Sequence, residues 1–205
     1  MITVAALYVQ RGGVYCGLDG VDPWDEERDA RLYAGPHPVV AHPPCERWGR
    51  YWSGGPSASV RRLLGDDNGC FAAALWAVRT YGGVLEHPEA SHAWRWFGLP
   101  RPDRAGGWTA HDSWGGASCC IEQGHYGHRA RKATWLYAVR AELPALHWGP
   151  SSGLRLDEGF HSRAERHAAR AAGQRPRIRL TPRECAATPP AFRNVLLALA
   201  RSTRR

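Results

Sequence analysis

The run Pro38-Val39-Val40-Ala41 passes without a break into His42-Pro43-Pro44-Cys45, and no other stretch constrains the fold as much. Small and β-branched apolar residues read as a buried strand, and two successive prolines stop it because neither can donate to a ladder. Cys45 is thereby set at the carboxyl end of a strand, where open α/β sheets hold their ligands. A second junction of this kind lies at Gly83-Val84-Leu85, which leads into Glu86-His87-Pro88. Further strands are expected over Thr3 to Val9, up to Val21-Asp22, over Thr134 to Val139 and briefly at Leu146-His147-Trp148. Between them lie stretches of helical character: the charged run Asp25 to Tyr33, closed by Gly35-Pro36, then Asp67 to Tyr81 and the amphipathic Ala191 to Ala200. In the second, Cys70, Phe71, Ala74, Leu75 and Val78 recur at helical spacing behind the capping candidates Asp66, Asp67 and Asn68. Strands alternating with helices imply an α/β fold, a Rossmann-like, mostly parallel sheet with helices on both faces. At 205 residues the chain suits a single domain. Residues 98 to 118, rich in Gly, Pro and Trp, read as a long surface loop, and Arg155 to Pro176 as a polar, Arg- and Ala-rich segment.

The formal charge is +8, and 26 of the 27 basic residues are arginine, Lys132 being the exception. Such a balance suits a polyanionic partner, since arginine contacts to phosphates release counterions; solubility and the codon usage of a GC-rich genome also produce it. Ten tryptophans are present, several of them (Trp48, Trp52, Trp94, Trp96, Trp108, Trp114) near the strand-end loops, where aromatic faces stack on bases or pack the core. The six cysteines are scattered and read as reduced thiols rather than a disulfide framework. No apolar run approaches the ~18 residues of a membrane span, and the first residues lack the basic segment of a secretory signal. A cytoplasmic protein with no membrane partner is the expectation.

Cys45 has three readings: core packing, a metal ligand together with His42, or a nucleophile. The metal reading is weakened because Glu46, Arg47 and Trp48 follow where a deaminase would place a second cysteine. Cys119, Cys120, His125 and His128 form another conceivable zinc set. Glu86 would lie beside the Cys45 loop if the two strands are neighbours, and a carboxylate there can bind the ring nitrogen and exocyclic amine of a pyrimidine; otherwise it is a surface glutamate.

The order of these segments resembles that of the cytosine-5 DNA methyltransferases. Pro44-Cys45 matches the family's nucleophile motif, and Glu86 in Leu85-Glu86-His87-Pro88 its base-binding glutamate. Tyr126-Gly127-His128-Arg129-Ala130-Arg131-Lys132 matches its basic segment, and Arg179-Leu180-Thr181-Pro182-Arg183-Glu184-Cys185-Ala186 the stretch before its last helix. Val21-Asp22 resembles the strand-end acid that holds the adenosyl ribose. The opening differs, since Tyr8-Val9-Gln10-Arg11-Gly12-Gly13 stands where the family has a Phe-Ala-Gly-x-Gly-Gly turn, and His87-Pro88 replaces Asn-Val. A compact His-Pro-Pro-Cys chain of this kind is also similar to proteins of actinobacterial phages and prophages.

The resemblance implies a single methyltransferase-like domain over residues 1–205, with a short insertion, 138–178, in place of a target-recognition domain. It implies S-adenosylmethionine as cofactor, held by Tyr8, Gly12, Gly13 and Asp22, with DNA as substrate and a protein partner to supply target recognition. Cys45 would add to C6 of a pyrimidine, making C5 nucleophilic, and Glu86, its acid form favoured by burial, would protonate the ring. Arg47, Arg50 or Arg129 would lower the thiol pKa, and Trp48 would fill the gap left by a flipped base. His42 and His87 would border the substrate, and Arg129, Arg131 and Lys132 would hold phosphates. Competing readings are a pyrimidine-modifying enzyme or glycosylase on a related scaffold without S-adenosylmethionine, for which His87 and His92 are suggestive, a non-catalytic DNA-binding relative, and a zinc-stabilised module.

Overall fold

In a computed structural model, the described residues are 2–54, 62–153, 167–168, 171–173 and 180–204. They build one six-stranded sheet in the order β2-β1-β3-β4-β6-β5. The strands are β1 (Val4–Leu7), β2 (Val21–Trp24), β3 (Val39–Ala41), β4 (Gly83–Pro88), β5 (Gly116–Glu122) and β6 (Ala133–Val139). β1 pairs in parallel with β2 and β3, and β3 with β4, whereas β6 lies antiparallel to both β4 and β5. The sheet is therefore mixed, with β6 the one reversed strand. The expected mostly parallel sheet is corrected by the antiparallel pairs that β6 makes with β4 and β5, and the seven residues of β5 fall partly in the stretch read as a surface loop. All of β5 is buried, so its Gly-Ala-Ser-Cys-Cys-Ile-Glu sequence carries no polar-apolar alternation to reveal it.

Alternation instead divides the strands between two cores. Ala5, Leu7, Val39, Ala41, Leu85 and Tyr137 face one side, and Val4, Ala6, Val40, Val84, Leu136 and Ala138 the other, as the two-residue period of a strand requires. Helix α1 (Cys70–Tyr81) covers the first face with Phe71, Ala74, Leu75 and Val78. Asp67 holds its start, accepting from the amides of Phe71 at 2.8 Å and Gly69 at 3.0 Å. The last helix, Pro190–Arg201, covers the second face with Phe192, Leu196, Leu199 and Ala200, and prolines open it where no amide donor is needed.

Two shorter helices went unforeseen: α2 (His92–Trp96), capped by Ser91, and α3 (Pro182–Ala186); the last helix is α4. In α3, Thr181 and Glu184 form a capping box, a signature present in the sequence as Thr-x-x-Glu. The charged run Asp25 to Tyr33 forms turns and one 3-10 helix over Ala30–Leu32 rather than an α-helix. Leu146-His147-Trp148 is irregular, with Leu146 and Trp148 packed on the α4-side core. Within the expected insertion, residues 138 and 139 belong to β6. Most of 154–178, including nearly all of the polar segment Arg155 to Pro176, lies outside the described residues.

Candidate active site

β3 ends at Ala41, paired with Leu85, while β4 runs on to Pro88 against β6. Glu86 is thus inside a strand, one residue beyond the end of its parallel neighbour, and His42 is level with it. The His42 Nδ1 donates to Glu86 Oε2 at 2.9 Å, and its Nε2 is hydrogen-bonded with the buried Tyr15 hydroxyl at 2.8 Å. The other carboxylate oxygen accepts from Gln123 Nε2 at 3.3 Å, and Gln123 also donates to Thr134 Oγ1. Burial raises the Glu86 pKa, but the hydrogen bond and charge of His42, with Lys132 and His87 behind it, outweigh burial and set it below the ordinary value. Glu86 is therefore a carboxylate, which corrects the expectation that burial keeps it protonated.

Cys45 follows in an exposed turn, its carbonyl accepting from the amides of Trp48 and Gly49. Its thiol is pushed above the ordinary value, first by desolvation and then by the Glu86 carboxylate; of the side chains around it, Lys132 acts the other way. Lys132 is thus a cation that favours the thiolate. Arg129 pairs with Glu184 at 2.5 Å, and one guanidinium nitrogen of Arg47 is buried without a partner. Lys132 is desolvated, which lowers its pKa, while Glu86 and Cys45 raise it. Cys45, Glu86 and Lys132 therefore share one local field at the carboxyl ends of β3 and β4.

The basic segment and the Leu180–Glu184 stretch, distant in sequence, lock together. Lys132 Nζ donates to the carbonyls of Ala187 at 2.7 Å and Ala186 at 3.3 Å, at the end of α3, where cations suit the helix. His128 Nε2 donates to the Glu184 carbonyl at 3.0 Å. Arg131 donates to the Gly153 carbonyl and, with Arg104, Cys120 and Glu122, lines a cleft of about 380 Å³ at the end of β5.

Comparison with known protein families, with characterised proteins and with solved structures finds no match to this chain. The site rests on its own geometry.

That geometry leaves two expected substrate contacts elsewhere. Trp48 is only 2% exposed: its indole donates to Asp67 at 2.8 Å and packs on Phe71, Trp96 and Phe97. It is a core residue with no free face for a base. His87 is 1% exposed, hydrogen-bonded to Ser91 and wedged between Phe71 and Trp94. It supports the Cys45 loop from beneath, because its ring lies against the backbone of Pro43 and Pro44. Cys119 and Cys120 face opposite cores, so they cannot share one ion, and His125 and His128 are bonded to carbonyls. Among the described residues no group of three or more His, Cys, Asp or Glu side chains could hold a metal. Tyr15 and Gln123 were missed from the sequence. Nothing in a lone Tyr near a Gly-Gly turn or a Gln at a strand end marks a partner of Glu86 before the pairing of β4 with β6 is known.

Proposed function

We propose that this protein modifies C5 of a pyrimidine base in DNA through a covalent bond from Cys45, with cytosine-5 methyl transfer the reaction its sequence most resembles. The observation that carries this reading is the shared field of Cys45, Glu86 and Lys132 at the ends of adjacent strands. The sheet supports a Rossmann-like reading in one respect: β2 lies on one side of β1 and β3 on the other. This makes the crevice beyond β1 and β3 a topological switch point, the usual ligand position in open α/β sheets.

Of the four residues assigned to S-adenosylmethionine, Tyr8 and Gly12 carry features that support the assignment. Tyr8 leaves β1 in a left-handed conformation with a buried, unpartnered hydroxyl, and beside Gly12 a methyl group would meet nothing within 4 Å. At Gly13 an added Cβ would strike the Gln10 carbonyl, so the turn demands glycine. Asp22 does not fit. It lies within β2, and its oxygens are taken by Arg28 at 2.6 Å and Trp24 at 2.8 Å. Bound in this crevice, the cofactor supplies a methyl electrophile.

The chain's own residues do the rest. A pyrimidine lying between Cys45 and Glu86 gives the carboxylate an amine donor, which offsets the negative field that holds the thiol up. Lys132 is then left to favour the thiolate. The Cys45 sulfur would bond to C6 as the C5–C6 π pair moves to C5, and C5 could then accept a methyl group as the S–CH3 bond of the sulfonium breaks to leave a neutral thioether. The C5 proton would pass to solvent, its C–H pair would re-form the C5–C6 double bond, and the thiolate would leave with the S–C6 pair. Glu86, being ionised, orients the amine rather than donating a proton, and His42, bonded to it at 2.9 Å, would supply one to the ring nitrogen.

DNA containing 5-fluorocytosine tests the reading, because fluorine cannot leave as a proton and the adduct persists. The parent protein should form it with S-adenosylmethionine present, and Cys45→Ala should not. An adduct surviving the substitution removes Cys45 from the chemistry. Calorimetry with S-adenosylmethionine separately tests the cofactor.

A further inference from the structure

Three segments converge on the buried Trp48. Its carbonyl accepts from the His92 amide at the start of α2, and Trp96 of the same helix lies with its ring centroid 5.9 Å away. The Arg47 carbonyl accepts from the Gly65 amide, and Gly65, left-handed, presses so closely on the Trp48 ring that any Cβ would clash. Around this hub the side chains turn outward: Tyr51 is 63% exposed, Trp96 64% and Leu63 57%, and Arg50, Arg62 and Arg95 are exposed beside them. The interleaving is visible in the chain as Arg47-Trp48-Gly49-Arg50-Tyr51-Trp52 and Trp94-Arg95-Trp96. Two exposed acids, Glu46 and Asp66, lie on the same segments and leave arginine in excess.

Large aromatic side chains left this open gain little from burial. Trp96 meets Trp48 edge-on, as exposed Trp76 and Trp114 meet Tyr81 and Arg79, but the latter two lie on α1 and on the loop before β5, away from Cys45. Tyr51 and Trp96 instead adjoin the turn that carries the nucleophile. We infer that Tyr51 and Trp96, flanked by Arg50, Arg62 and Arg95, form a stacking platform for unpaired nucleotides next to the Cys45 turn. Aromatic faces accept any base and guanidinium groups track the phosphates, a combination that fits single-stranded rather than duplex nucleic acid. Protein interfaces also enrich Tyr, Trp and Arg, but the formal charge of +8 favours a polyanion, and a protein partner is the outcome in which neither DNA binds. The inference rests on the base-directed reading of Cys45 but addresses how the substrate is held.

The test measures affinity of the full chain for a fluorescent single-stranded 20-mer and for the matching duplex. Tyr51→Ala and Trp96→Ala should each weaken single-strand binding roughly ten-fold, Tyr51→Phe and Trp96→Phe should retain it, and duplex binding should change less. Trp76→Ala and Trp114→Ala are internal controls and should bind as the parent does. Equal affinity of Tyr51→Ala and Trp96→Ala with the parent overturns the platform, as does a parent that prefers the duplex or binds neither DNA. Adduct formation at saturating 5-fluorocytosine DNA is scored on the same variants. Adduct retained with weakened binding supports the platform; adduct absent even from the parent, with single-strand binding lost only in the platform variants, refutes the Cys45 chemistry and leaves the platform standing.

Discussion

Lys132 Nζ donates to the Ala187 carbonyl across 2.7 Å, tying the end of α3 to the strand-end site while its charge bears on Cys45 and Glu86. The only lysine in the chain thus joins the basic segment to the stretch before the last helix. Lys132→Met should raise the Cys45 pKa further, because the side chain that opposes Glu86 is gone. Alkylation of the Cys45 peptide by iodoacetamide, followed by mass spectrometry against pH, should move to higher pH. An unmoved profile would show that Lys132 serves only α3.

Glu86→Gln should act in the opposite direction on the thiol and against turnover. Removing the carboxylate takes away a charge that raises the Cys45 pKa, so alkylation should shift to lower pH. Loss of a charged hydrogen bond to the base should cost roughly 10- to 100-fold in modification rate. A faster thiol with slower modification is a pairing that general damage to the site does not produce. If both rates fell together, Glu86 would be a structural anchor for His42.

Much of the frame was legible because strong local chemistry fixed it. The Pro-Pro stop after β3 put Cys45 at a strand end, the spacing of Phe71, Ala74, Leu75 and Val78 marked α1, and the neighbourhood of Cys45 and Glu86 followed from β3 lying beside β4. β5 was not legible, since a strand buried on both faces reads like any apolar run, and its Gly-rich approach resembles a loop. The direction of β6 depends on β5, so the mixed sheet was hidden with it. Within the site, His87 and Trp48 were misplaced for one reason: polar-capable rings near a reactive loop look alike whether they face solvent or the core. Period decides between them only once β4 is known to continue to Pro88. The ionisation of Glu86 depended on His42, with Lys132 and His87 behind it, groups brought to it by strand pairing that the sequence does not display.

Trp48→Ala should be among the most damaging single changes. The indole fills the space between α1, α2 and the Cys45 turn and satisfies Asp67, which also holds the start of α1. Truncation of a buried tryptophan costs about 3–5 kcal/mol, and chemical denaturation should report a loss of that order. Trp48→Phe should recover most of the packing but not the Asp67 bond. A loss below about 1 kcal/mol for Trp48→Ala would mean that the three segments do not depend on their hub.

His87 should make the fold sensitive to mild acid. Desolvation lowers its pKa from 6.5 to about 4, against smaller opposing effects led by Glu86, so the folded protein keeps the ring neutral where the unfolded chain protonates it. The unfolded state then binds more protons between those values, and stability is full above about 6.5 and falls as pH drops toward 4, by up to about 3 kcal/mol. Glu86, lowered from 4.5, adds its own loss only as pH falls through and below that ordinary value, so the window from pH 7 to 5 isolates the histidine. Thermal melts of the parent should show Tm falling across that window, and His87→Phe, which fills the space between Phe71 and Trp94 without a titrating group, should flatten the dependence whatever its absolute Tm. The same slope in both proteins would assign the acid sensitivity to another histidine and remove His87 as the neutral support beneath Pro43 and Pro44.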